Sequence, residues 1–177
     1  MSVIKLATSD DIDGVVKLYD EVNDYLSYTV NYNAPTWVKG KYPSRETADI
    51  GVAEKSLYIV HDHRDIIGSV ILNQHQYDGY EDALWQVNAR PEDILVINTL
   101  VTSPRNRGQG IGESLVIFAI DYGKRSGMKA IRLSTYRHNT PAKALYKKCG
   151  FLSAGELSGS DHGQMLFYSM FGYVYGI

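Results

Sequence analysis

The segment Arg107-Gly108-Gln109-Gly110-Ile111-Gly112 constrains this chain more than any other. It follows a β-branched run, Ile94 to Thr102, and it opens an apolar-periodic stretch, Gly108 to Ser126. A strand that turns through glycines into a helix leaves the first helical amides without internal partners. The helix dipole adds about half a positive charge at that end. Glycines let a ligand approach the backbone with no side chain in the way. Together these make a phosphate site. A P-loop would need Lys and then Ser or Thr after its glycines, but Gly112-Glu113-Ser114 stands there, and a glutamate would repel phosphate. A dinucleotide fingerprint would need G-x-G-x-x-G and a carboxylate near the end of the next strand. Here the spacing is G-x-G-x-G, and Ser134 and Thr135 end that strand. The bland reading, a turn that holds nothing, sits badly with Arg105 and Arg107 beside the exposed amides.

The rest of the pattern interleaves strands and helices. Ser2 to Ala7 alternates as a strand does, and Thr8 or Ser9 offers a cap for a helix carrying Ile12, Val15, Val16, Tyr19 and Val22. Tyr25 to Tyr42 reads as irregular. Pro43 to Lys55 is expected as a helix, with Ala48 and Val52 on one face. Leu57–Val60 and Ile66–Leu72 read as a hairpin. Trp85 and Val87 suggest a short strand in an otherwise polar stretch. Ile111, Leu115, Phe118 and Tyr122 mark one face of the helix after the glycines. Lys129 to Ser134 is a strand, and Thr140 and Pro141 read as cap and first residue of a helix ending before Gly150. Phe151–Leu157 and Met165–Met170 close the chain as strands. The expected class is α/β, with a mixed α+β sheet in which antiparallel hairpins accompany the crossovers.

At 177 residues the chain is expected to form one domain. One cysteine, Cys149, excludes an internal disulfide. No apolar run reaches the ~20 residues of a membrane span, and the start of the sequence lacks a secretion pattern, so a cytoplasmic protein with no membrane partner is expected. Residues 1–92 carry 8 basic and 15 acidic side chains (−7), and residues 93–177 carry 10 and 5 (+5), which sum to the net charge of −2. The split suits an anionic ligand on the C-terminal half and a cationic one on the N-terminal half, although ordinary surface charge would give the same counts. Nucleic acid is not expected as a partner, because the arginines cluster at a glycine turn instead of along a helix face.

The glycine segment resembles motif A of the GNAT superfamily, the GCN5-related N-acetyltransferases, whose signature Q/R-x-x-G-x-G/A is matched by Arg107 to Gly112. The preceding L-x-V-x-P pattern appears as Leu100-Val101-Thr102-Ser103-Pro104, with Thr102 where valine is usual. Asn139 to Phe151 resembles the family's motif B, N-x-x-A-x-x-L-Y-x-x-x-G-F. The likeness is specific from residue 94 onward.

The resemblance implies a central, mostly antiparallel sheet splayed between its fourth and fifth strands and flanked by helices, in one N-acetyltransferase domain. It implies acetyl-CoA as co-substrate, with no metal. The pyrophosphate would lie on the amides of Arg107, Gly108, Gln109, Gly110, Ile111 and Gly112. The pantetheine would pair with Leu100, Val101 and Thr102, and Asn139 would hydrogen-bond the pantetheine or the region near the thioester. A backbone N–H at or near Leu100 would stabilise the oxyanion, and Tyr146 would protonate the departing thiolate. Arg105, Arg137, Lys143 and Lys147 are candidates for the 3′-phosphate or plain surface charges. No base is identified; Glu92 and Asp93 lie at the start of the Ile94–Thr102 run, and Asn98 could orient a water. Cys149 reads as inert packing. The acceptor would be a small-molecule or peptide amine. Tyr25, Tyr28, Tyr32, Trp37, Tyr42, Tyr80 and Trp85 could offer faces to a cationic amine, and could equally be core or homodimer contacts. A non-catalytic acyl-CoA sensor and a transferase of longer acyl groups remain alternatives.

Overall fold

A computed structural model describes residues 3–29, 37–63, 65–77, 79–159 and 163–170, with the backbone alone for 157–159 and 163–170. Seven strands form a mixed, mostly antiparallel sheet: β1 (Ile4–Leu6), β2 (Leu57–Asp62), β3 (Asp65–Asn73), β4 (Ile94–Thr102), β5 (Ala130–Tyr136), β6 (Leu152–Gly159) and β7 (Gly163–Met170). Their order is β1-β2-β3-β4-β5-β7-β6. Four helices flank it: α1 (Ile12–Tyr28), α2 (Arg45–Ala53), α3 (Ile111–Arg125) and α4 (Thr140–Lys148). The chain divides into two compact units, one running to Leu72 and including Thr99–Leu115, the other comprising Asn73–Asn98 and the residues from Val116 onward.

In the first unit, Thr8 opens a 3₁₀ turn that leads into α1; its amide and hydroxyl both donate to Asp11 Oδ2, at 2.9 and 3.0 Å. Val15, Leu18, Tyr19, Val22 and Asn23 recur at helical spacing and are the buried positions of α1. Val15, Leu18, Tyr19 and Val22 pack with Ala48 of α2, Leu57 and Ile59 of β2, and Ile71 of β3. Helix α2 is capped by Ser44, so Pro43 lies before the helix and not within its first turn. The β2–β3 hairpin is present and longer than the apolar runs alone suggest, closing at Asp62↔Asp65 with His63 at φ +53.

In the second unit, β5 pairs antiparallel with β7, and β7 with β6. The parallel register of β4 with β5 covers three residues only, Ile94–Val96 against Ala130–Arg132. A small core forms from Tyr80, Ile94, Val96, Ala130 and Ala154. Trp85 and Val87 do not form a strand. A 3₁₀ turn at Tyr80–Asp82 precedes an irregular segment that packs Ala83, Trp85, Val87 and Ala89 on that core. The alternation that suggested a strand is therefore real, but the backbone makes side-chain and carbonyl contacts in place of a ladder.

Two further corrections concern helix ends. Helix α3 begins at Ile111, three residues later than the glycines suggest, because Gly108 and Gly110 adopt φ of +78 and +76 and cannot be helical. Its buried face runs through Ile111, Leu115, Val116 and Ala119, while Phe118 and Tyr122 are half-buried and stack at 6.4 Å. Helix α4 is capped by Asn139, not Thr140: Asn139 Oδ1 accepts from Ala142 N at 3.2 Å, and Thr140 and Pro141 fall inside the helix.

Candidate functional site

The turn between β4 and α3 lies wholly within the first unit. Strand β4 brings down Leu100, Val101 and Thr102; Val101 is buried and the other two are half-buried. Ser103 follows, fully buried, with its amide donating to Ile67 O at 2.9 Å. Its Oγ accepts from Arg105 N at 3.2 Å and donates to Glu21 Oε1 of α1 at 3.0 Å. The Arg105 guanidinium meets the same carboxylate, Nε to Oε1 at 2.7 Å and Nη2 to Oε2 at 3.0 Å. Arg107 meets Tyr25, one turn further along α1, donating to its hydroxyl and lying 5.3 Å over its ring. So two residues of α1, Glu21 and Tyr25, grip the two arginines of the turn.

The backbone of the turn is open. Gln109 N donates to Asn106 O at 3.3 Å. Among the described residues, the amides of Arg107, Gly108, Gly110, Ile111 and Gly112 donate to no protein acceptor. A Cβ placed on Gly108 or Gly110 would meet nothing within 4 Å. Glycine is needed at both for its positive φ, and space stays free on the face where an anion would sit.

Gly68 of β3 is a site residue that sequence reasoning missed. A Cβ there would lie 2.7 Å from Ile111 Cγ2 and 3.2 Å from Leu115 Cδ1. Its absence lets the first turn of α3 settle on the strand, which fixes where the open amides point. A glycine inside an apolar strand run was the available signal.

Within the second unit, Asn139 and Tyr146 sit on α4. Tyr146 is 6% exposed, its ring 5.9 Å from that of Phe151. Cys149 is the half-buried residue that ends the helix. Of the base candidates, Glu92 is exposed and paired with Arg90 at 3.2 Å. Asp93 is held below the ordinary carboxylate range by hydrogen bonds from Arg90 and Lys129, which makes it a poorer base. Asn98 is buried and donates to Asn73 Oδ1 at 2.7 Å. Among the phosphate candidates, Arg105 is bound by Glu21 and Arg137 pairs with Glu156 at 2.9 Å; Lys147 is exposed and Lys143 half-buried.

The aromatic residues divide. Tyr80 belongs to the core of the second unit, with Trp85 stacked on it at 5.4 Å. Trp37 meets Tyr42 edge-on at 6.0 Å. Tyr28 is exposed, and Tyr32 lies outside the described residues.

A mixed sheet with a short parallel register between β4 and β5, and an open glycine turn after β4, define an α/β protein with unengaged amides at the start of α3. The chain belongs to the acetyltransferase (GNAT) family, whose model matches residues 16–151. It is 37% identical over 70 residues to streptothricin acetyltransferase of Escherichia coli, a match covering 40% of each chain. It is 25% identical over 149 residues to an uncharacterized N-acetyltransferase of Methanocaldococcus jannaschii, covering 84% of this chain and 59% of that one. The chain thus spans 40% and 59% of the lengths of these two curated relatives. Among solved structures, a GNAT-family acetyltransferase from Streptococcus agalactiae superposes with a TM-score of 0.82 at 16% identity, over 97% of this chain and 96% of that one. The PaiA N-acetyltransferase of Thermoplasma acidophilum, solved in complex with coenzyme A, gives 0.71 at 18% identity, over 98% and 99%. These structural likenesses show the fold. Among the described residues, no helix is long and apolar enough to cross a membrane.

Proposed function

We propose that this chain is a single N-acetyltransferase domain, working in the cytoplasm, that transfers the acetyl group of acetyl-CoA directly to a primary amine. The observation that carries the reading is the row of unengaged amides at Arg107, Gly108, Gly110, Ile111 and Gly112, inside the segment that matches the family signature. These amides would bind the pyrophosphate, and Leu100 to Thr102 would offer backbone groups to the pantetheine. Arg105 would act less as a phosphate ligand than as a brace, since Glu21 already neutralises it.

Acetyl-CoA supplies a thioester carbon open to attack: the amine forms the C–N bond, the C–S bond breaks, and the amine loses a proton as the thiolate gains one. An alkyl amine with a pKa near 10.4 must first lose its extra proton, which costs about 4.6 kcal/mol at pH 7. Leu100 N–H would stabilise the oxyanion. The Tyr146 hydroxyl would give its proton to the thiolate, and its burial keeps bulk water from competing for that role. The acidic balance of residues 1–92 favours a cationic acceptor. The similarity to a streptothricin acetyltransferase makes streptothricin-class amines the first acceptors to test, beside polyamines, amino sugars, amino acids and peptides.

An acceptor panel with acetyl-CoA, read by free thiol, tests the assignment. Turnover with at least one amine is expected, and Tyr146→Phe should lower kcat at least ~10-fold with CoA affinity nearly unchanged. Tight CoA binding with no turnover on any amine would make the chain an acyl-CoA sensor instead.

A further inference from the structure

One residue of β4 sits in a conformation its side chain disfavours. Thr99 has φ +44, in the left-handed region, within a strand and with a β-branched side chain. Such a residue persists only where its surroundings hold it. It is 8% exposed, and its hydroxyl is hydrogen-bonded by a residue 57 positions away in sequence: Tyr42 Oη and Thr99 Oγ1 lie 2.6 Å apart.

Tyr42 is itself firmly held. Asn23 of α1, 2% exposed, donates through Nδ2 to the carbonyls of Tyr42 and Pro43, both at 3.3 Å. Tyr42 N donates to Val38 O at 3.0 Å, and Val38 N to Tyr42 O at 2.9 Å. The Trp37 ring meets the Tyr42 ring edge-on at 6.0 Å. The hydroxyl is therefore delivered to Thr99 from a braced segment and not from a free loop. The peptide that joins Thr99 to Leu100 takes its direction from the Thr99 backbone, and so does the Leu100 N–H.

We propose that Tyr42 is a positioning residue for acyl transfer: its hydroxyl holds Thr99 in the left-handed conformation, which aims the Leu100 N–H at the place where negative charge develops. The claim rests on the reading of Leu100 given above. It deepens that reading by assigning a residue from the segment between α1 and α2 to the electrostatics of the reaction. A donor misaimed by a fraction of an ångström loses much of its effect on rate and little of its effect on donor binding.

The test uses the full chain with acetyl-CoA and the best amine from the panel. Tyr42→Phe and Thr99→Val should each lower kcat by about 10- to 100-fold while the Kd for CoA, by calorimetry, stays within ~2-fold. Thr99→Ser, which keeps the hydroxyl, should recover most of the rate. The double variant Tyr42→Phe/Thr99→Val should be no slower than the worse single one, since both remove the same bond. Wild-type kcat in Tyr42→Phe, or losses that multiply in the double variant, would overturn the proposal. A crystal structure of Tyr42→Phe reads the same claim without turnover: Thr99 should relax to negative φ, and a Thr99 that stays left-handed would refute it. If the wild-type chain bound no CoA, the enzyme reading would fall on that result alone, while the Thr99 conformation would still decide the role of Tyr42.

Discussion

Arg105 and Arg132 each pin an irregular segment, and they do so under opposite conditions. Arg105 is exposed and has both oxygens of Glu21 at 2.7 and 3.0 Å. That hydrogen-bonded carboxylate raises its pKa further. Arg132, on β5, is 7% exposed and has no carboxylate among the described residues. Its Nη1 donates to Gln76 Oε1 at 2.6 Å, its Nη2 to Val87 O at 3.1 Å, and its guanidinium lies 4.3 Å over the Trp85 ring. Its Nε is buried without an acceptor, and burial pushes its pKa down. The surface arginine is neutralised side chain to side chain, which leaves the backbone amides of its turn unengaged. The buried one grips its segment at three points through neutral acceptors and a ring face, at a real desolvation cost. Charge in the first unit is paired beside a turn whose amides stay open. Charge in the second is consumed in holding Gln76 to Val87 on the core.

The largest effect should come from placing charge against the open turn. Gly110→Asp puts a side chain where φ is +76 and a carboxylate where the pyrophosphate would lie, so CoA affinity should drop at least ~100-fold by calorimetry. Retained affinity would make the turn structural and dissolve the contrast. In the second unit, Arg132→Lys should cost about 2 kcal/mol in denaturant unfolding, because a compact ammonium cannot reach both acceptors and stack on Trp85. An unchanged unfolding midpoint would mean that the three-point grip contributes nothing. Gly68→Ala should cost about 1–3 kcal/mol by overpacking Ile111, and should weaken CoA binding as the start of α3 is displaced.

Asp11 sharpens the comparison from the acidic side, since it is buried and charged like Arg132 but fully partnered. Burial pushes its carboxyl up, but the Thr8 N–H, the Lys5 ammonium and the Thr8 hydroxyl together carry it below the ordinary 3.8. A carboxyl depressed on folding adds stability above its unfolded pKa and loses that contribution as pH falls through the folded value. Asp11→Asn should therefore be less stable than wild type at pH 7, and the gap should narrow below about pH 4. A gap that does not change with pH would remove the charge from the account. The smallest effect is expected for Glu21→Gln, whose partner is exposed: the thermal midpoint should move by at most about 2 °C.

The glycine turn was legible because its signal is local: positive φ, a helix start and the flanking arginines all fall within eight residues. Strands β2 to β5 and helices α1, α3 and α4 were legible for a similar reason, since apolar spacing at 2 or 3.6 residues reports a buried face directly. The segment holding Trp85 and Val87 misled because alternation marks a half-buried chain whether or not a neighbouring strand supplies a ladder. The cap of α4 moved from Thr140 to Asn139 because both residues can cap, and the bond to Ala142 chose between them. Arg132 drew no notice as an ordinary strand position.

Residue order alone determined the family and the sheet-and-helix class, because the signals for each lie within a few residues of one another. Only the tertiary structure decided that Glu21 occupies Arg105, that Gly68 seats the start of α3, and that Tyr42 reaches Thr99. Those pairs are separated by 84, 43 and 57 positions, and spacing along a chain carries no information about which distant positions folding brings together.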